Sequence, residues 1–117
     1  MEFHGPRTQI LKEVSVTNGD ATIYTVPVGK KFWLISAGTS TDGGATGAVK
    51  ACIYNDLAVL QKTIVAMKIG ATTLVFPSIP FQPAYPVEMQ AGWYMCVHSD
   101  AASLEATLSI FGMEVDA

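Results

Sequence analysis

The stretch Tyr24-Thr25-Val26-Pro27-Val28-Gly29-Lys30-Lys31-Phe32-Trp33-Leu34-Ile35-Ser36-Ala37-Gly38-Thr39-Ser40-Thr41 decides how this chain reads: a proline–glycine corner runs straight into an apolar strand. Pro27 fixes its own φ and lacks an N–H for a ladder, whereas Gly29 accepts positive φ, so the pair turns the chain tightly where a strand begins. The scheme recurs at Tyr85-Pro86-Val87-Glu88-Met89-Gln90-Ala91-Gly92, which delivers Trp93-Tyr94-Met95-Cys96-Val97-His98-Ser99. The chain therefore reads as two halves built alike.

Working outward, Ile10, Lys12, Val14 and Val16 alternate with Leu11, Glu13, Ser15 and Thr17, the pattern of a half-buried strand. Asn18-Gly19 then predicts a hairpin whose return strand is Ala21 to Val26. In the strand after Gly29, Phe32 and Leu34 are expected on one face and Trp33, Ile35 and Ala37 on the other, so both faces are apolar and both need cover. Asp42-Gly43-Gly44-Ala45 sits in a small-residue loop. It lacks the lysine and the following helix of a phosphate cradle.

Ala48 to Tyr54 alternates again. Leu57 to Ile69 fits either a helix, through Leu57, Leu60, Ile64 and Met67, or a strand, through Val65, Met67 and Ile69; the β-branched run Thr63-Ile64-Val65 favours strand. Ala71 to Phe76 is a further expected strand. Pro77, Pro80, Pro83 and Pro86 make the next segment a rigid extended crossing. In the last strand, Leu104 to Val115, the residues Leu104, Ala106, Leu108 and Ile110 point inward, and Phe111, Met113 and Val115 leave the outward side apolar. The sum is an all-β, single-domain β-sandwich of jelly-roll type, with about eight antiparallel strands over residues 10–117 and an N-terminal arm over residues 1–9.

Composition narrows the function. Charged residues are 15% of the chain against a usual ~25%, and hydrophobic residues reach 50%. A domain of this size buries only about two-thirds of its unfolded surface, so some apolar surface is expected to meet another chain. The net charge of −3 and scattered Lys and Arg give no basic stripe for nucleic acid. No apolar run approaches the ~18 residues of a membrane span, and Met1-Glu2-Phe3-His4-Gly5-Pro6 reads as no signal peptide.

Chemistry-bearing residues are sparse. Cys52 and Cys96 are expected as reduced thiols behaving as small hydrophobes, with a disulfide across the sandwich as the alternative. His98 shares a face with Cys96, yet a metal would need further ligands such as Asp100 or Cys52 to converge. No Gly-x-Ser-x-Gly elbow occurs, and of the two histidines, His4 and His98, only one is in an expected strand to serve any nucleophilic scheme. We therefore expect no enzyme activity, no cofactor and no metal. Trp93, Tyr94 and Tyr85 form either a sugar-stacking corner or plugs in the core or an interface.

Through Thr25 to Leu34 and Pro86 to Met95, the chain resembles the small jelly-roll structural proteins of tailed bacteriophages: capsid decoration (cement) proteins and virion fibre heads. The likeness covers roughly Ile10 to Val115. It implies a homotrimer on the capsid surface, made in the host cytoplasm and seated on the major capsid protein. A carbohydrate- or receptor-binding module of a virion fibre is the alternative. The residues expected at interfaces are Phe3, Arg7, Trp33, Ile35, Trp93, Tyr94, Phe111, Met113 and Val115, chosen as aromatic, apolar or arginine side chains on the arm, strand heads and outward faces.

Overall fold

A computed structural model describes residues 7–41, 46–69, 78–102 and 104–117. Nine strands are present among them: β1 (Arg7–Thr17), β2 (Gly19–Thr25), β3 (Lys30–Thr41), β4 (Gly47–Tyr54), β5 (Leu60–Ile69), β6 (Ser78–Phe81), β7 (Val87–Met89), β8 (Tyr94–Ser99) and β9 (Glu105–Asp116). They form two antiparallel sheets, β1-β9-β3-β6 with β7 also on β3, and β2-β8-β4-β5. Strands consecutive in sequence, β1 and β2 or β3 and β4, fall in opposite sheets. That interleaving is the order expected of a jelly-roll winding.

The two facing layers close over Phe32, Leu34, Ile53, Met95, Leu108 and Ile110, all buried, with Ile10, Val14 and Val16 of β1 packed against them. The inward set expected for the last strand is the one observed: Leu104, Ala106, Leu108 and Ile110 are fully covered. Leu60–Ile69 is strand, which decides the helix–strand ambiguity in favour of the β-branched run.

The two proline–glycine corners bind each other. Val26 N–H donates to the Trp93 carbonyl at 2.9 Å, and Gly92 N–H returns a bond to the Val26 carbonyl at 2.9 Å. Gly29 and Gly92 both take positive φ, 79° and 84°, which is why glycine ends each corner. A β-carbon on Gly92 would also stand 2.8 Å from that of Asp56, so the turn between β4 and β5 packs on the same end of the sandwich.

Several expectations need correction. Asn18 does adopt positive φ (50°), but β1 and β2 are not a hairpin: β1 pairs with β9 and β2 with β8. Asn18 alone separates the strands, too little for a two-residue turn, and the left-handed residue swings the chain from one sheet into the other. Ala37 faces the core with Phe32 and Leu34, because the β3–β9 register shifts between Leu34 and Ser36. The extra residue, Ile35, reverses the alternation beyond it.

The first strand begins at Arg7 rather than Ile10, so Arg7, Thr8 and Gln9 pair with Val115, Glu114 and Met113. The proline-rich crossing holds two short edge strands, β6 and β7, and Pro80 sits in an edge strand opposite Gly38, the kind of sheet position where proline is tolerated. The strand expected at residues 71–76, the Gly43-Gly44 loop and Phe3 lie outside the described residues.

Candidate interaction surface

The β1-β9-β3 sheet has an outer face divided into two zones. Register places Leu11 beside Phe111 and Phe111 beside Ser36, while the adjoining row runs Gln9, Met113, Trp33, Glu88. Leu11, Phe111, Met113, Trp33 and the bulged Ile35 therefore crowd one end of the face. All but Leu11 are half-buried, and Leu11 is 79% exposed. At the other end the rows turn polar: Ser109 Oγ donates to Glu13 at 3.1 Å, and Ser15 and Thr107 hydroxyls pair at 2.8 Å.

One charged pair borders the apolar zone: Lys31 Nζ lies 3.7 Å from Glu88. Lys30 Nζ, 2.5 Å from Asp116, belongs to the opposite face of the sheet, in register with Phe32 and Glu114. Exposed pairs of this kind add little stability, about 0–1 kcal/mol each.

Four of the interface residues expected from sequence, Trp33, Ile35, Phe111 and Met113, thus meet on one surface. Val115 lies in the same outward series yet is only 7% exposed and stands apart from the main core, covered within the chain itself. Arg7 opens β1 opposite Val115. Trp93 packs against the core, whereas Tyr94 stacks on Tyr54 at 5.3 Å and 20° on the far sheet. Trp93 and Tyr94 therefore do not share one platform, and Tyr85 is 84% exposed. Leu11 was missed by sequence reasoning; the signal for it was an apolar residue in the otherwise polar outward series of β1.

Where β1 and β2 part, the sandwich opens into a groove of about 400 Å³ lined by Ile10, Lys12, Tyr24 and Glu114 among others. Tyr24 Oη donates to Glu114 at 2.5 Å, and Lys12 Nζ sits 5.6 Å over the Tyr24 ring. Burial pushes the Tyr24 phenol well above its ordinary range, and the hydrogen bond and charge of Glu114 reinforce the shift. This is a proton held fast, the opposite of an activated nucleophile or base.

The outer face of the second sheet carries the remaining candidates. Cys52 stands directly opposite Cys96 on adjacent strands of one sheet, not across the sandwich, and both are free thiols. Burial raises the Cys96 pKa, with Asp20 and Cys52 adding to the shift and the Thr22 hydroxyl 3.3 Å away opposing it. His98 Nδ1 pairs with Asp20 at 2.6 Å. Asp100 accepts the Ala48 N–H at 2.7 Å, which caps the start of β4. Among the described residues no three His, Cys, Asp or Glu side chains converge in a way that could hold a metal ion.

No protein-family model matches the chain, and no curated protein matches it. Solved structures do. Two crystal structures of a pentameric capsid protein isolated from metagenomic phage sequences superpose with a TM-score of 0.51 at 19% identity. The match covers 91% of this chain and 61% of that chain, so this chain's fold accounts for about three-fifths of the protein it is similar to. At that identity the likeness is one of fold.

Proposed function

We propose that this chain is a non-enzymatic structural protein of a phage virion, acting as a capsid decoration (cement) protein that assembles with its own copies and contacts the major capsid protein on the capsid surface. The observation that carries the reading is the apolar zone of Leu11, Trp33, Ile35, Phe111 and Met113 on an otherwise solvent-facing sheet. Apolar surface bordered by polar rows and the Lys31–Glu88 pair has the composition of a protein–protein contact. Fold likeness to a phage capsid protein supports a virion setting, and that protein's oligomeric state supports self-assembly. The titratable pairs Tyr24–Glu114, His98–Asp20 and Lys30–Asp116 serve the fold, in keeping with a role without catalysis.

The stoichiometry we propose is a trimer. A ring of five, making the chain a shell subunit rather than a decoration, is the second reading, and it is favoured by the pentameric state of the similar capsid protein. Sedimentation equilibrium separates them by the number of chains per particle. In either ring, Trp33→Ser with Phe111→Ser should lower self-association at least tenfold, with the circular dichroism spectrum unchanged. A variant that assembles as tightly as the parent would remove this face from the contact. Binding of purified protein to undecorated phage heads then distinguishes cement from shell.

A further inference from the structure

The four sheet edges differ in how they are protected from pairing with another chain. β5 breaks register twice against β4, and β2 breaks once against β8. The far edge of the first sheet is cut into β6 and β7, of four and three residues, with Pro80 in the former. Such interruptions are the usual means of blunting an edge. β1 has none of them. It runs eleven residues in unbroken register with β9, contains no proline, and no strand among the described residues pairs with its other side. Its one inward charge, Lys12, is drawn over the Tyr24 ring.

The side chains of β1 also suit one particular occupant, namely β1 itself in antiparallel orientation about a twofold axis. In such a pair directly opposite residues share a face, so the axis must fall on a residue. An axis on Lys12 sets lysine against lysine, and one on Glu13 sets glutamate against glutamate. An axis on Leu11 brings Arg7 opposite Ser15 and leaves Glu13 opposite Gln9. With the axis on Ile10, Arg7 faces Glu13 of the second copy and Glu13 faces Arg7, while Gln9 faces Leu11 and Lys12 faces Thr8. The outward row then reads Trp33, Met113, Gln9, followed by Leu11 and Phe111 of the second copy. The two apolar zones become continuous across the junction.

We infer that β1 is a homotypic docking edge: two copies join β1 to β1, antiparallel about Ile10, through backbone hydrogen bonds, two reciprocal Arg7–Glu13 pairs and the exposed Leu11. This rests on the reading that the chain assembles with its own copies and specifies one contact. Because the contact is isologous, it links one ring to the next and does not close a ring of three or five.

Charge reversal tests it. Arg7→Glu or Glu13→Arg alone should weaken the β1-dependent association step at least tenfold in sedimentation velocity, and the doubly reversed chain should return to within about threefold of the parent. Thermal melts confirm that each variant folds. Hydrogen exchange on the parent should show β1 amides of the free edge gaining protection as concentration rises. If the single reversals leave association unchanged, or the double reversal fails to restore it, the pairing is wrong. A parent that assembles while its β1 amides exchange as in the dilute protein keeps self-assembly and loses this edge. A parent that stays monomeric loses both.

Discussion

The ring of Phe32 lies where a β-carbon of residue 112 would stand. An alanine there would overlap both that ring and the Trp33 carbonyl oxygen, so Gly112 is glycine for want of room rather than for a special backbone angle. The contact sits beside the register shift of β3, where Gly112 pairs with Leu34. Gly112→Ala should cost about 1–3 kcal/mol, the usual penalty of overpacking a core, read as a lower midpoint in urea. In a Phe32→Leu background the added cost should shrink but not vanish, because the carbonyl remains. Equal costs in both backgrounds would show that the ring is not the obstacle.

Tyr24 spans the two sheets through its bond to Glu114 on β9. Its pKa is raised in the folded protein, first by burial and then by Glu114. In the unfolded chain the phenol ionises near its ordinary value of about 10, so above that pH the unfolded state binds fewer protons and stability falls as pH rises. Below about pH 10 the contribution is fully present. Tyr24→Phe should cost about 1–2 kcal/mol at neutral pH, as expected for a lost hydrogen bond to a charged group. The gap between parent and variant should narrow from pH 10 to pH 11.5, measured by urea denaturation. A gap that widens over that range would contradict the assignment.

Thr39 is fully buried on the inner face of β3, and its Oγ1 finds no hydrogen-bond partner among the described residues. An unsatisfied buried hydroxyl costs roughly 1–3 kcal/mol, so the near-isosteric Thr39→Val should stabilise the fold by about 1 kcal/mol. The check is the thermal midpoint. A lower midpoint would mean that the hydroxyl is bonded after all.

Cys52 and Cys96 should both be recovered as free thiols after denaturation in the presence of a maleimide. In the native protein alkylation should be slow, since Cys52 is buried and the raised Cys96 pKa keeps its thiolate scarce. Recovery of neither would establish a cross-strand disulfide, for which their opposed positions on β4 and β8 supply the proximity.

What was legible in the sequence was local. Proline followed by glycine fixes a corner whatever lies around it, and the corners at Gly29 and Gly92 were found where residue chemistry put them. Period-two alternation gave the inward faces of β1 and β9 for the same reason. The failures were all questions of partnership. Asn18-Gly19 signals a turn but not whether the strands it joins will share a sheet, and nothing in Leu34-Ile35-Ser36 announces that one residue will be squeezed out of register. The apolar patch was mostly legible: Trp33, Ile35, Phe111 and Met113 stood out by type, whereas Leu11 acquired meaning only when β9 was laid beside β1.

The position of β9 has a consequence for timing. It is the last of the nine strands to leave the ribosome, yet it lies in the middle of its sheet, with β1 on one side and β3 on the other. Until it emerges, β1 has no sheet neighbour among the described residues, and Phe111 and Met113 are missing from the apolar patch. Pairings this remote along the chain are slow to form. The proposed face and edge are therefore complete only once β9 has paired with both β1 and β3.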